Sequence, residues 1–172
     1  MRLCLSTVVL SLCAACSRPP AAPGTPAAEP PRDALLQNVT LRTWHGSNKT
    51  VEADAKTLTW RREASTFTAT DVVARLPSKK GEVVMRAPRL DGTLGGDAFE
   101  ATDGVTLSSA RGEAQSPRAQ YTRTPEGSAV TSDAGVRFAG PGQKLTARGF
   151  QFDVTEQHAT FIGVETEVGG PR

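Results

Sequence analysis

The feature that most constrains the fold is a residue pattern that recurs about every thirty positions. A small residue is followed three positions later by an apolar one, as at Ala55 and Leu58. The pair returns at spacings of 32, 29 and 31 residues, at Ala87 and Leu90, Ser116 and Ala119, and Ala147 and Phe150. One such unit cannot bury its apolar face alone, whereas stacked copies share a continuous core. The sequence therefore predicts four stacked repeats.

A second series of residues has the same period. Its members, spaced by 32, 31 and 31 residues, are Phe67, Phe99, Val130 and Phe161. Three valines follow six positions after the first three members, at Val73, Val105 and Val136. Chance recurrence in a Thr- and Ala-rich chain is the alternative, and the agreement between the two series argues against it. Each repeat should hold two or more strands, which predicts roughly eight to sixteen short strands in total.

Apolar and polar residues alternate with a period of two from Leu35 onward. In the segment TVEADAK, three small apolar residues fall on one face of a strand and four polar residues on the other. The intervening segments PSKKG, TPEGS and AGPGQ hold residues that accept turn geometry. The sequence predicts an all-β domain of short strands joined by tight turns.

The three-residue step within each repeat predicts a break in the strand. Side chains alternate across a strand with a period of two, so residues three positions apart cannot both point inward from a regular strand. The backbone must change register between them through a bulge or a corner. We expect the small residue, such as Ala55, to mark that corner.

Composition argues against nucleic-acid binding and against a helical fold. The chain has 172 residues, which suits one domain, with 20 basic and 18 acidic residues and no basic run that would bind nucleic acid. Hydrophobic residues make up 38% and aromatic residues 5%, and Thr, Val, Ala and Gly are plentiful. This composition favours strands and turns over long helices.

The N-terminal residues are similar to the signal of a bacterial lipoprotein. Met1 and Arg2 precede LCLSTVVLSLCAAC, which is too short to span a bilayer as a helix but fits the apolar region of a signal peptide. Its end, CAAC, resembles a lipobox, in which the last cysteine is acylated. We expect residues 1–15 to be removed and Cys16 to carry the lipid. All three cysteines lie in this segment, so no thiol site is expected in the mature domain.

Residues 16–34 are predicted to form a tether. Six of the twelve prolines fall within residues 17–34, which show no apolar periodicity. Such a segment cannot bury enough surface to fold. It is either an extended polyproline spacer or a disordered tail without a length requirement. The folded domain is predicted to span residues 35–172.

The segment LTARGFQFDVTEQHATFIGVETEV, from Leu145 to Val168, resembles a repeat unit of the OstA-like proteins of lipopolysaccharide export. Those units run from a small residue through an apolar and an aromatic residue to a turn and a Gly-containing strand. With its membrane-targeting start and single repeat domain, the chain resembles the LptC family over about residues 38–168. The resemblance implies a twisted β-jellyroll whose two sheets form a groove.

The LptC resemblance also implies a function and partners. In that family the groove holds the acyl chains of lipopolysaccharide, which comes from an inner-membrane ABC transporter of the Lpt type. The end strands pair edge to edge with a periplasmic LptA-like bridge protein. We therefore expect a periplasmic, membrane-anchored subunit that catalyses no reaction and needs no cofactor.

The lipobox departs from that family, whose well-known members are anchored by a transmembrane helix. Ser17 after Cys16 permits passage to the outer membrane in enterobacterial sorting. The inner membrane is expected for an LptC-like protein, and the outer membrane is the alternative. The alternative function is that of a structural outer-membrane lipoprotein, which uses the β-stack to dock partners without transporting lipid.

Eight large apolar residues are candidates for the lining of a lipid groove. They are the large groups on the strand pattern, and they could instead fill a closed core. The candidates are Leu58, Trp60, Phe67, Phe99, Leu107, Phe138, Phe152 and Phe161.

The polar residues show no catalytic or metal-binding pattern. His45 and His158 are far apart in the sequence and too few for a metal site, so both are expected on the surface. Lys79 and Lys80 could meet lipid phosphates or form a solvated turn. Aspartates near the turns are expected to cap backbone amides rather than to act as a glycosidase pair. They are Asp71, Asp103, Asp133 and Asp153.

Overall fold

The computed structural model describes residues 33–95 and 97–166. Within these ranges the chain forms twelve β-strands and no helix, and hence no helix that could span a membrane. The predicted signal peptide, Cys16 and residues 16–32 of the predicted tether lie outside the described residues. The strands are β1 (Asp33–His45), β2 (Asn48–Arg61), β3 (Thr66–Ser78), β4 (Gly81–Thr93), β5 (Ala98–Thr102), β6 (Val105–Ser109), β7 (Gly112–Ser116), β8 (Ala119–Thr124), β9 (Gly127–Ser132), β10 (Val136–Gly140), β11 (Gln143–Asp153) and β12 (His158–Thr166).

The fold is a stack of antiparallel chain segments that follow one another in chain order, and we call each segment a crossing. Strands β1 to β4 pair in sequence, and β11 pairs with β12. Between them, β5 with β6, β7 with β8, and β9 with β10 each form one crossing that is broken in the middle. For this reason β4 pairs with β5 along one half and with β6 along the other. The described residues thus make nine crossings, and β1 and β12 are the outermost.

Pairing is interrupted near the middle of the crossings, where the sequence predicted corners. The register of β2 with β3 stops at Asp54 and resumes at Thr57, between the buried side chains of Ala55 and Leu58. Both side chains face the core although they are three positions apart. The same arrangement recurs at the buried pairs Ala87 and Leu90, Ser116 and Ala119, and Ala147 and Phe150. The prediction that a small residue marks the corner is confirmed in these four crossings.

The other crossings turn their corners with a residue in the left-handed backbone region. Five such residues have φ between 51° and 74°, one in every second crossing. Asn, Asp and Gly tolerate this conformation better than other residues. Each repeat therefore contains one small-residue corner and one left-handed corner, which explains its length. The left-handed residues are Asn38, Asp71, Asp103, Gly135 and Gly163.

The halves of the crossings on either side of the corners form two layers around one core. Layer I contains β5, β8, β9 and the adjoining halves of the long strands, and layer II contains β6, β7, β10 and the other halves. Small and aliphatic side chains from both layers fill the core, among them Leu76, Val83 and Val130, each 0% exposed. The prediction of an all-β jellyroll built from about four two-strand repeats is confirmed for the described residues.

Candidate lipid-binding cleft

A cleft opens between the two layers beside the β1–β2 and β4–β5 turns. Its volume is about 360 Å³. Layer II lines it with Leu41, Val51, Ala53 and Ala74, and layer I with Phe67, Leu90, Phe99 and Tyr121. The walls are mainly aliphatic and aromatic, so the cleft suits an apolar group. The polar side chains that line it include Thr50, Asp97 and Arg123.

The floor of the cleft belongs to a row of cross-strand neighbours in layer I, which we call the aromatic row. Each small–apolar pair of the first series begins a hexamer, and the four hexamers are AKTLTW, APRLDG, SPRAQY and ARGFQF. The last residues of these hexamers alternate along the row with members of the Phe67 series. Phe161 is the exception, since it pairs with Phe150 in a neighbouring row. The aromatic row runs through Trp60, Phe67, Gly92, Phe99, Tyr121, Val130, Phe152 and Ala159.

Packing in this row is tight on both sides of Gly92. A Cβ atom at Gly92 would lie 2.9 Å from Cζ of Phe67 and 3.2 Å from Cβ of Phe99. The Phe99 ring stacks on Tyr121 with centroids 4.5 Å apart and an interplanar angle of 11°. Burial raises the pKa of the Tyr121 phenol above its ordinary value. The part of the row from Phe67 to Tyr121 therefore forms a packed apolar floor.

The mouth of the cleft is also apolar. Trp44 and Leu94 border it with 56% and 42% of their surface exposed. Four further large apolar side chains in the described residues are exposed, and all four lie on the outermost strands. They are Leu35 and Leu36 on β1, and Ile162 and Val164 on β12.

Arg123 joins the two layers at the rim of the cleft. Its Nη2 lies 2.9 Å from Oδ1 of Asp97, on the β4–β5 turn of its own layer. On the opposite layer, Nη1 donates to Oγ1 of Thr50 at 3.3 Å, and Nη2 lies 3.3 Å from Nδ1 of His45. The side chain is 21% exposed. A guanidinium group therefore stands where the apolar floor meets water.

A second set of contacts joins the layers between the β3–β4 and β11–β12 turns, and we call it the clasp. Lys79 Nζ donates to Oε1 of Glu156 at 2.9 Å, and Lys80 Nζ donates to the main-chain oxygen of Glu156 at 2.8 Å. Gln157, only 1% exposed, donates from Nε2 to Oγ of Ser78 at 2.8 Å. The bond from Lys79 lowers the pKa of Glu156 and raises that of Lys79. The two lysines are thus paired with protein oxygens.

The eight residues predicted to line a groove occupy three kinds of environment. Phe67 and Phe99 line the cleft. Leu58, Leu107 and Phe152 are at most 5% exposed and lie within the core. Trp60, Phe138 and Phe161 are partly buried against it, with the Phe138 and Phe161 ring centroids 5.2 Å apart. The indole N–H of Trp60 is buried and has no hydrogen-bond partner among the described residues.

Several cleft residues lie outside the set predicted from the sequence. Leu41, Leu94, Tyr121 and Arg123 were not among the candidates, although all four line the cleft. The sequence pattern could have identified Tyr121, because it ends the third hexamer at the position that Trp60 takes in the first. No such pattern identifies Arg123, since its partners across the cleft are 73 and 78 positions away in the chain.

The recurring aspartates lie at corners and turns but share no single role. Asp153 accepts the backbone amide of Glu156 at 2.9 Å, as expected of a cap. Asp133 instead accepts two N–H groups of Arg118, and Asp71 lies 3.7 Å from Nζ of Lys56. In residues 33–95 and 97–166, no three His, Cys, Asp or Glu side chains are placed to hold a metal ion.

Comparisons with known proteins give matches among solved structures but none in sequence. No protein-family model matches the chain. No curated protein matches it in sequence. The fold is similar to the crystal structure of LptH, described as the LptA homologous periplasmic component of the lipopolysaccharide transport device of Pseudomonas aeruginosa. The identity is 16% over 81% of this chain and 89% of that chain, with a TM-score of 0.29. At these values, function has to be inferred from the cleft itself.

Proposed function

We propose that this domain is a lipopolysaccharide-binding subunit of the lipopolysaccharide export system in the periplasm. The observation that carries the proposal is the cleft of about 360 Å³, whose floor and mouth are both apolar. Trp44 and Leu94 stand in water at its mouth, which is unfavourable unless an apolar ligand covers them. An acyl chain meets that requirement. Phe67 and Phe99 are the predicted lining residues that would contact it.

The size of the cleft determines how much lipid it holds. Ligand sites usually measure about 300–1,000 Å³. A volume of about 360 Å³ is therefore at the lower end. Each methylene that leaves water for this space stabilises the complex by about 0.8 kcal/mol. The cleft accommodates part of one acyl chain, and the remainder of a lipopolysaccharide molecule stays outside it. Binding of this extent is suited to transient contact during transport.

The outermost strands support transfer between subunits. Within the described residues, β1 pairs only with β2 and β12 only with β11, so each has an open edge. Both edge strands carry exposed large apolar side chains, for example Leu35 and Ile162. An apolar open edge readily accepts another strand. One edge would pair with an Lpt-type transporter subunit of the inner membrane, and the other with an LptA-like bridge protein.

The proposed anchor is an acyl group on Cys16 after removal of residues 1–15. It would hold the domain at the periplasmic face of the inner membrane, and the outer membrane is the alternative because of Ser17. A second candidate function, a docking lipoprotein, is favoured by the same apolar edge strands. A docking protein has no use for an apolar cleft, so the cleft distinguishes the two functions.

Native mass spectrometry with purified lipopolysaccharide tests the proposal. The chain from residue 16 with Cys16→Ser, which prevents acylation, should give a saturable adduct with lipopolysaccharide that phospholipid does not displace. Leu94→Asp places a charge at the mouth and removes apolar contact, so it should weaken binding about tenfold.

Ile162→Asp is the matched control, because it makes the same kind of change on an exposed side chain of β12. It should bind lipopolysaccharide like the parent chain. If the folded protein gives no adduct, the transport function is wrong and the docking function replaces it. If Leu94→Asp binds as well as Ile162→Asp, lipopolysaccharide binds outside the cleft, and the observation on which the proposal rests is wrong.

A further inference from the structure

Arg123 has unused binding capacity at the boundary between the cleft and water. A guanidinium group carries five N–H donors. Two of them have a hydrogen-bond partner among the described residues, namely Thr50 and His45, and the group also forms an ion pair with Asp97. The two contacts to the opposite layer are 3.3 Å long, which is beyond the usual range of about 2.7–3.2 Å. Asp97 is therefore the only close partner of this cation in the described residues.

The carboxylate of Asp97 is replaceable. Its side chain is 62% exposed on the β4–β5 turn, and it meets Arg123 through a single contact of 2.9 Å. By contrast, Arg118 on the outside of the molecule reaches both oxygens of Asp133, at 2.9 and 3.1 Å. An incoming anion with several oxygens offers Arg123 the two-pronged contact that Asp97 does not provide.

We propose that Arg123 binds the phosphate group of a ligand whose alkyl chain occupies the cleft, and that this phosphate takes the place of the Asp97 carboxylate. The inference rests on the proposed function and adds the headgroup chemistry. Arg123 lines the same cleft as Phe67 and Phe99, so one molecule can reach both the floor and the cation. Arg42 also lines the rim, and it is paired with Glu52 at 3.5 Å. A phosphorylated amphiphile is the ligand class that matches an apolar floor beside an arginine.

Isothermal titration calorimetry with single-chain ligands tests this inference. Dodecyl phosphate, dodecyl maltoside and inorganic phosphate would each be titrated, below micelle formation, into the chain from residue 16 with Cys16→Ser. Dodecyl phosphate should bind about tenfold more tightly than dodecyl maltoside, the effect expected of one charge-assisted hydrogen bond. Inorganic phosphate should bind far more weakly than dodecyl phosphate, because it gains nothing from the cleft.

Variants at the rim separate phosphate binding from a purely structural role. Arg123→Gln should remove the preference for dodecyl phosphate and leave dodecyl maltoside unchanged, whereas Arg123→Lys should keep part of it. Asp97→Asn removes the competing carboxylate and should tighten dodecyl phosphate binding several-fold. Arg118→Gln is the matched control, since it breaks an exposed Arg–Asp pair away from the cleft. It should change neither affinity.

Three results would overturn the inference. The first is equal affinity of the parent chain for dodecyl phosphate and dodecyl maltoside, which leaves the cleft as an acyl site without headgroup recognition. The second is an Arg123→Gln variant that binds both ligands equally less well, which assigns Arg123 to joining the layers. The third is inorganic phosphate binding as tightly as dodecyl phosphate. If neither alkyl ligand binds the folded chain, the proposed function fails together with the inference.

Discussion

Gly92 shows how one residue without a side chain organises the floor of the cleft. The corresponding residues of the other hexamers are Trp60, Tyr121 and Phe152, and all are large. Gly92 breaks that series because Phe67 and Phe99 fill the space above it from the strands on either side. Its backbone is not in the left-handed region, so only the steric requirement selects glycine here.

Gly92→Ala should therefore lower the free energy of unfolding by about 1–3 kcal/mol, as overpacking of a close-packed site does. Urea denaturation monitored by circular dichroism measures this change. Gly127→Ala is the control, because its added Cβ would lie 3.4 Å from Oγ1 of Thr155, an ordinary contact. It should be neutral or slightly stabilising, since alanine restricts the unfolded chain. Equal stability of the two variants would contradict the packing described for the aromatic row.

At the scale of strands, the repeated sequence pattern determines where each crossing turns a corner. Asp71 and Asp103 turn their crossings with φ of 51° and 68°. Asp71 also lies near Lys56, but both side chains are more than 60% exposed, so this ion pair contributes little to stability. The backbone conformation is the main requirement at Asp71.

Asp71→Val should destabilise the domain by about 1–2 kcal/mol, because a β-branched residue is strained in the left-handed region. Asp71→Gly and Asp71→Asn should both stay within about 0.5 kcal/mol of the parent chain, since glycine and asparagine accept this φ. Lys56→Val, at a corner outside the left-handed region, is the matched control and should have a small effect. Thermal and urea unfolding would show the difference. An Asp71→Asn variant as unstable as Asp71→Val would assign the cost to charge instead of backbone strain.

The corners could be predicted from sequence because they follow from a local rule. Two inward residues three positions apart break the period of a strand, and that rule needs no knowledge of the partner strand. Two of the five left-handed corners, at Asp71 and Asp103, were identified only as turn aspartates, since aspartate serves several turn geometries, and the other three were not predicted. The distinction between core and cleft could not be predicted. Phe152 and Phe99 are both large apolar residues on the alternating strand pattern, and only the way the layers meet buries one and leaves the other at the cleft.

At the scale of the whole molecule, contacts between turns that are distant in the chain determine where the two layers are joined. Arg123 and Thr50 are 73 positions apart, and Lys79 and Glu156 are 77 positions apart. No local pattern specifies which turns face each other in the folded domain. The contacts at the rim and in the clasp could therefore not be predicted from the sequence. The clasp joins the two layers at one place, and the cleft separates them at another.

The clasp should make stability depend on pH in a defined window. The pKa of Glu156 is lowered from its ordinary value of 4.5, so its contribution to stability is complete above that value and is lost as the pH falls through the pKa in the folded protein. The pKa of Lys79 is raised from 10.5, so its contribution is complete below that value and is lost as the pH rises through the pKa in the folded protein. The clasp is therefore fully effective between these limits.

Glu156→Gln tests this window. The difference in unfolding free energy between the parent chain and the variant should be constant at neutral pH, shrink as the solution is acidified below 4.5, and decrease with added salt. Lys79→Met should give a smaller difference at neutral pH, because Nζ of Lys80 still lies 3.5 Å from Oε2 of Glu156, and the double variant should add little to Glu156→Gln. Urea titrations across the acidic range measure all three. If the difference does not change with pH, the ion pair is irrelevant, and the remaining bonds of the clasp hold the turns together, namely those from Gln157 to Ser78 and from Lys80 to the main-chain oxygen of Glu156. Because neither bond uses the Glu156 carboxylate, the two layers would then stay joined at this place as the solution is acidified.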